Sequence, residues 1–266
     1  MTNKLNKIIT LWSPVSGIGT TFTAINMAKS MGGKGAKVAL FDFDLKTPAT
    51  HIYLDNKDSI HCIDNIIPFT AGGVLQSGVL ENNIQEVEGF SYLRGTNSPR
   101  QAQYITPESL ASIVDTAMDM FDHIIIDTHS ILDNAGTYVA LKGADQIYLL
   151  TEKNAITIQQ YNAVRNLISE TFDTEKFRLI INKEQKNVYM TNEDVGNFYD
   201  IENSYELPLL DAEFINSINQ GRWLSHLYSG KKAVKQYAKK MDQLILEGVG
   251  LNPSKQSKTK RSLLKR

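Results

Sequence analysis

"SPVSGIGTTFT", residues 13–23, is a run of small residues with glycines at 17 and 19 and hydroxyls at 20, 21 and 23. The apolar stretch "KIITLWS" (7–13) leads into it and reads as a strand. "TAINMAKSM" (23–31) follows, with Ile25, Met27 and Ala28 on one side, and reads as a helix. A glycine loop between a strand and a helix turns backbone N–H groups and the positive end of a helix dipole toward one point, where an anion is stabilised. Taken alone, the same arrangement is also a common tight connection.

Outward from the loop, apolar runs alternate with helical patterns. "KVALFDFD" (37–44) is a strand that ends in two aspartates, and "FSYLRG" (90–95) is another strand. "ESLASIVDTAMDMF" (108–121) has apolar residues three and four apart and opens after Thr-Pro, a helix start. "HIIID" (123–127) and "DQIYLLT" (145–151) are unbroken apolar strands, "IQQYNAVRNLI" (158–168) is helical, and "FRLIINK" (177–183) is a further strand. This alternation predicts an α/β fold, a three-layer sandwich with a mostly parallel central sheet flanked by helices. Polar residues at the strand ends then share one carboxyl edge, where such sheets bind ligands. Residues 45–89 and 184–206 are less regular and read as insertions or surface helices. "KKAVKQYAKKMDQLILEG" (231–248) carries an apolar stripe of Val234, Tyr237, Ala238, Met241, Leu244 and Ile245, with lysines largely off it. Residues 1–251 are expected to form one domain and 252–266 an unstructured basic tail.

The chain has 266 residues, 42% hydrophobic and 21% charged, as in an ordinary globular protein. No apolar run approaches the ~18 residues of a membrane span, and "MTNKLNKIITLW" has too short an apolar stretch for a secretory signal. A cytoplasmic location follows as the expectation. One cysteine, Cys62, excludes an internal disulfide and a cysteine-rich metal site. Residues 252–266 hold six of the 28 Lys/Arg and none of the 29 Asp/Glu, so the preceding residues carry 22 basic against 29 acidic side chains, a balance of −7. A basic tail on an acidic body suits an anionic partner, either a membrane surface or DNA; a solvated tail is the alternative.

Residues 14–21 follow the phosphate-binding pattern G-x-x-x-x-G-K-[ST] in part, with Gly19 on its second glycine, Thr21 on its hydroxyl and Thr20 where that pattern has lysine. Ser16, Gly17, Ile18, Gly19, Thr20, Thr21 and Phe22 are the candidate nucleotide-binding residues, through their backbone, and the Thr21 hydroxyl is placed for Mg²⁺. Mg²⁺ is held through few carboxylates, several waters and phosphate oxygens. Asp42 and Asp127, at the ends of "KVALFDFD" and "HIIID", fit that role, and Asp44 could orient a water against a terminal phosphate. Any one of these aspartates is ordinarily a cap or an exposed charge; together beside a glycine loop they are less easily dismissed. His129 reads as a loop histidine facing solvent, or else as a functional group at the phosphate edge. His51, His61, His123 and His226 show no metal-ligand spacing.

"VSGIGTT" (15–21) resembles the loop K-G-G-V-G-K-[TS] of the deviant-Walker-A ATPases of the ParA/MinD type. "TAINMA" (23–28), "DFDLKTPATHIYL" (42–54), "FDHIIIDTHS" (121–130), "LIINK" (179–183) and "INQGRWL" (218–224) resemble further segments of that family. The resemblance implies a P-loop NTPase-like fold, bound ATP and Mg²⁺, an adenine contact at Asn182, and a homodimer closed face to face on nucleotide. It is nearest to the TadZ/CpaE branch, which implies a role at the inner face of a membrane in assembling or positioning a pilus, secretion or conjugation machine. Val15 and Thr20 fall on the two lysines of the family loop. The charge stabilisation those lysines give the transferring phosphoryl group is missing, so weak or absent hydrolysis is expected. A DNA-partition ATPase and a nucleotide-free interaction module are the rival expectations.

Overall fold

A computed structural model of the chain describes residues 7–87, 89–185, 188–210 and 231–251. "INQGRWL", His226 and the basic tail lie outside the described residues. Among the described residues, eight strands form one sheet: β1 (Ile8–Trp12), β2 (Val38–Phe43), β3 (Gln85–Val87), β4 (Phe90–Leu93), β5 (His123–Thr128), β6 (Gln146–Thr151), β7 (Phe177–Glu184) and β8 (Ser204–Pro208), in the order β3-β4-β2-β5-β1-β6-β7-β8. All neighbours are parallel except β3, which pairs antiparallel with β4 at one edge. From β1 the chain moves past the place of β5 to β2 on one side, and later to β6 on the other side of β1. The crevice at such a reversal, above the carboxyl ends of the strands, is where open α/β sheets place a ligand.

The helices are α1 (Thr20–Gly33), α2 (Thr50–Tyr53), α3 (Ser77–Glu81), α4 (Pro107–Met118), α5 (Ala135–Gly143), α6 (Ala155–Thr171), α7 (Asn192–Tyr199) and α8 (Lys232–Leu244). Period-2 alternation sorts the strand side chains between two faces. Ile9, Leu11, Val38, Leu40, Ile125, Tyr148, Leu150 and Ile180 face α1 and α8. Phe41, Phe43, Ile124 and Ile126 face α3, α4 and α5, while Ile147, Leu149, Leu179 and Ile181 face α6 and α7. The three-layer sandwich expected from the alternation is the architecture observed. Helix α1 is buried from Phe22 through Lys29, because α8 covers the side that the sheet does not. The stripe expected on 231–248 is observed at Val234, Tyr237, Met241, Leu244 and Ile245, which are buried, but Ala238, also assigned to it, is exposed at the edge of the stripe.

Two regions depart from their sequence reading. Residues 45–89 are not a surface insertion alone, since Leu45, Ile63, Ile66, Leu75 and Leu80 are core residues and the segment supplies the edge strand β3. Residues 184–206 hold α7, a surface helix as expected, but also the start of a second edge strand, β8, which was not expected. Edge strands see solvent on one side, so their sequences lack the continuous apolar run that marks a central strand. Among the described residues no helix is long and apolar enough to cross a membrane.

Candidate functional site

The loop leaves β1 at Trp12 and enters α1 at Thr20. Gly17 (φ 80°) and Gly19 (φ 99°) both adopt backbone that side-chain-bearing residues rarely do. Gly19 has a second constraint, because a Cβ there would stand 2.7 Å from Asn182 Nδ2. Helix α1 has no side-chain cap at its N-terminus; its first-turn N–H groups are therefore left for water or a ligand. Ser13, Val15, Ser16, Gly17, Gly19, Thr20 and Thr21 line a cleft of about 220 Å³, closed by Asp44, Thr47, Ala49, Tyr53, Thr128, His129 and Ser130. That volume lies below the ~300–1,000 Å³ of a site for a whole drug-sized ligand.

The predicted residues divide by what their side chains do. Thr20 and Thr21 line the cleft. Ile18 and Phe22 are buried, Phe22 edge-on to Tyr237 with ring centroids 5.5 Å apart, so only their backbone faces the loop's ligand side. Val15 is half-buried, packed against the α1 side of the core while also lining the cleft. Ser16 is exposed and shares a 2.9 Å hydroxyl contact with Ser130.

Asp42 and Asp127 are direct partners across the β2–β5 ladder and are both 1% exposed. Their hydrogen-bond partners are neutral. Asp42 Oδ1 accepts from the Asp44 amide and Oδ2 from the Thr50 amide, each at 3.2 Å. Asp127 Oδ2 accepts from Thr50 Oγ1 at 3.3 Å, and the Thr21 side chain also bonds this carboxylate. Asp127 Oδ1 is buried with no partner. Two adjacent carboxylates out of water favour protonation. Burial, then the charge of Asp44, pushes Asp42 up to about 7; burial, then Asp42, holds Asp127 well above the usual carboxylate range. Burial and then the Asp127 charge also push up the Tyr53 phenol at the cleft wall.

A divalent cation would supply what this arrangement lacks. No group of three or more His, Cys, Asp or Glu among the described residues could hold a metal alone. Two carboxylates and the Thr21 hydroxyl, completed by water and phosphate oxygens, match the way Mg²⁺ is held beside a nucleotide. The unpartnered Asp127 Oδ1 fits that donor set.

The other predicted residues sit at the same edge with different engagements. Asp44 lines the cleft, but its oxygens accept from the Lys46 and Thr47 amides and from Thr47 Oγ1 at 3.0 Å, so it caps its own turn. His129 lines the cleft half-buried, its Nδ1 accepting from the Ile131 amide at 3.0 Å, rather than facing solvent as expected. Asn182 is 5% exposed and donates its Nδ2 to the Ile18 carbonyl at 2.6 Å. Sequence reading missed Lys183, whose Nζ donates to the Gly17 carbonyl at 2.8 Å. Regular strand alternation would put it on the face opposite Asn182, so no sequence signal marks it.

A family profile described as an AAA domain (AAA_31) matches residues 6–181. Among curated relatives, the tyrosine-protein kinase CpsD of Streptococcus pneumoniae is 24% identical over 62% of this chain and 71% of its own length. The septum site-determining protein MinD of Synechocystis is 26% identical over 82% of this chain and 81% of its own. Among solved structures, a ParA family ATPase from Chlorobium tepidum superposes with TM-score 0.77 at 16% identity, covering 89% of this chain and 98% of that one. MinD from Pyrococcus horikoshii complexed with Mg-ADP superposes with TM-score 0.71 at 18% identity, covering 90% and 95%. These likenesses make the architecture that of the P-loop ParA and MinD ATPases.

Proposed function

This chain belongs to the AAA domain family, and on that premise we propose that it binds Mg-ATP and turns it over slowly or not at all. The observation that carries the reading is the Asp42–Asp127 pair, with a buried, unpartnered carboxylate oxygen beside Thr21 under the N-terminus of α1. Thr21, Asp42 and Asp127 hold Mg²⁺ and its water shell, while the backbone of residues 16–22 receives the phosphates. Mg²⁺ supplies the charge compensation that the loop's side chains lack.

Turnover is limited by Val15 and Thr20. One preorganised donor to a developing charge is worth about 2.7–4 kcal/mol; two cations are absent from the loop here. Asp44, tied into its own turn, positions a water only when Thr47 lets it go. Binding depends less on those cations, since main-chain amides and the metal site remain.

A nucleotide held without rapid hydrolysis suits a scaffold that persists. The reading is a homodimer closed on ATP that positions or assembles a membrane-associated pilus, secretion or conjugation machine, as in the TadZ/CpaE branch. The basic tail then supplies attraction to anionic lipid, worth about 1 kcal/mol per Lys/Arg near the surface. Phosphate release and sedimentation with anionic vesicles, with and without DNA, test this. Vesicle binding of the ATP-loaded protein with negligible turnover is expected. Phosphate release stimulated many-fold by DNA would establish a partition ATPase instead.

A further inference from the structure

Consecutive residues of an extended strand point to opposite faces, so Asn182 and Lys183 should not both reach one loop. They do so because β7 is bulged. Between the pairs Ile181–Glu206 and Glu184–Pro208, β7 advances three residues while β8 advances two. Lys183 takes up the extra residue with φ 52°, a left-handed conformation unusual for lysine. Bulges of this kind re-aim side chains, and strained residues of this kind gather at functional sites. Asn182 thereby reaches the Ile18 carbonyl and Lys183 the Gly17 carbonyl, at 2.6 and 2.8 Å. The Lys183 ammonium is fixed from behind by Glu152 Oε1 at 2.7 Å. A second pair, Lys153–Glu184 at 3.2 Å, crosses the same sheet edge.

The trans peptide sets each C=O antiparallel to the next residue's N–H. Two tethered carbonyls therefore turn the N–H groups of Ile18 and Gly19 away from β7. Two glycines in this loop would otherwise leave those peptides free to rotate. With threonine in place of the loop lysine, amide direction is the loop's main remaining source of anion affinity. Donors already aimed need no reorganisation when the ligand arrives.

We propose that Lys183, with Asn182, is a positioning residue that pre-sets the loop amides for a triphosphate and so takes over the ordering that Thr20 cannot provide. The proposal rests on the Mg-ATP reading above, and its test separates the two. Amide hydrogen exchange of residues 16–20 in the ligand-free protein is measured beside calorimetric Mg-ATP affinity, for wild type, Lys183→Met, Lys183→Arg and Lys153→Met. In Lys183→Met, faster loop exchange and an affinity loss of roughly tenfold or more are expected, the size of a lost charge-assisted hydrogen bond. Lys183→Arg recovers most of both, and Lys153→Met, which breaks the neighbouring ion pair, leaves both near wild type. Loop exchange in Lys183→Met equal to wild type overturns the proposal, as does an equal loosening by Lys153→Met. Wild-type protein that gives no Mg-ATP heat removes the nucleotide reading, while the exchange comparison still decides whether Lys183 orders the loop.

Discussion

The two flanks of the loop are finished to different degrees. On the β7 side the described charges nearest the loop are paired: Lys183 meets Glu152 and a loop carbonyl, and Lys153 meets Glu184. On the β2–β5 side, two buried carboxylates lie side by side with neutral donors only, and one oxygen has none. A satisfied flank holds geometry before a ligand arrives. An unsatisfied flank costs stability until something positive enters, because a buried polar atom without a partner keeps its full desolvation penalty. The difference points to a cation on one side and a scaffold on the other.

The sharpest way to break this contrast is Asp127→Asn. The amide removes the buried charge, so the ligand-free protein should gain thermal stability while Mg²⁺-dependent ATP affinity falls about 100-fold, the upper range for a disrupted metal site. A variant that loses stability and keeps affinity would reverse the roles assigned to the two flanks. Next in size is Thr20→Lys, which restores a loop cation. Phosphate release should rise by up to roughly 100-fold, short of full activity because, on the proposed reading, a second cation is still wanting at Val15. No rise in a variant that binds Mg-ATP would show that the missing charge is not what limits turnover.

The pH dependence sharpens the comparison further. Asp42 sits at about 7 in the fold against 3.8 in the unfolded chain. A raised value means the protonated form is favoured on folding, so this stabilisation is complete below about pH 4 and lost as pH rises through 7. Three units correspond to roughly 4 kcal/mol as an upper bound. Asp42→Asn mimics the protonated acid, so its stability advantage over wild type should widen between pH 5 and 8 in denaturant titrations, and Mg²⁺ should narrow it. The smallest effect belongs to Ser130→Ala. Its contact with Ser16 is exposed, and Mg-ATP affinity should change by no more than about twofold, the size of an exposed hydrogen bond.

Much of the frame was legible because buried parallel strands are written as unbroken apolar runs. "KIITLWS", "HIIID" and "DQIYLLT" each fall on a central strand, and the polar residues at their ends lie on one edge. Asp42 and Asp127 could be paired from sequence because both terminate such runs, though their shared burial could not be read. The edge strands escaped for the opposite reason: "QEV" (85–87) and "SYELP" (204–208) carry polar residues toward solvent. Lys183 escaped because a one-residue bulge leaves no trace in composition or period. The core role of Leu45, Ile63 and Leu80 was hidden in a segment whose short turns show neither the 2.0 nor the 3.6 repeat.

Titration calorimetry with ATP, run with Mg²⁺ and again with EDTA, asks whether lysine-free amides and two buried acids suffice to hold a triphosphate. A saturable heat that depends on Mg²⁺, and whose affinity Asp127→Asn lowers about 100-fold, is the predicted result. A folded protein that gives no heat, or the same heat with and without the metal, would contradict it.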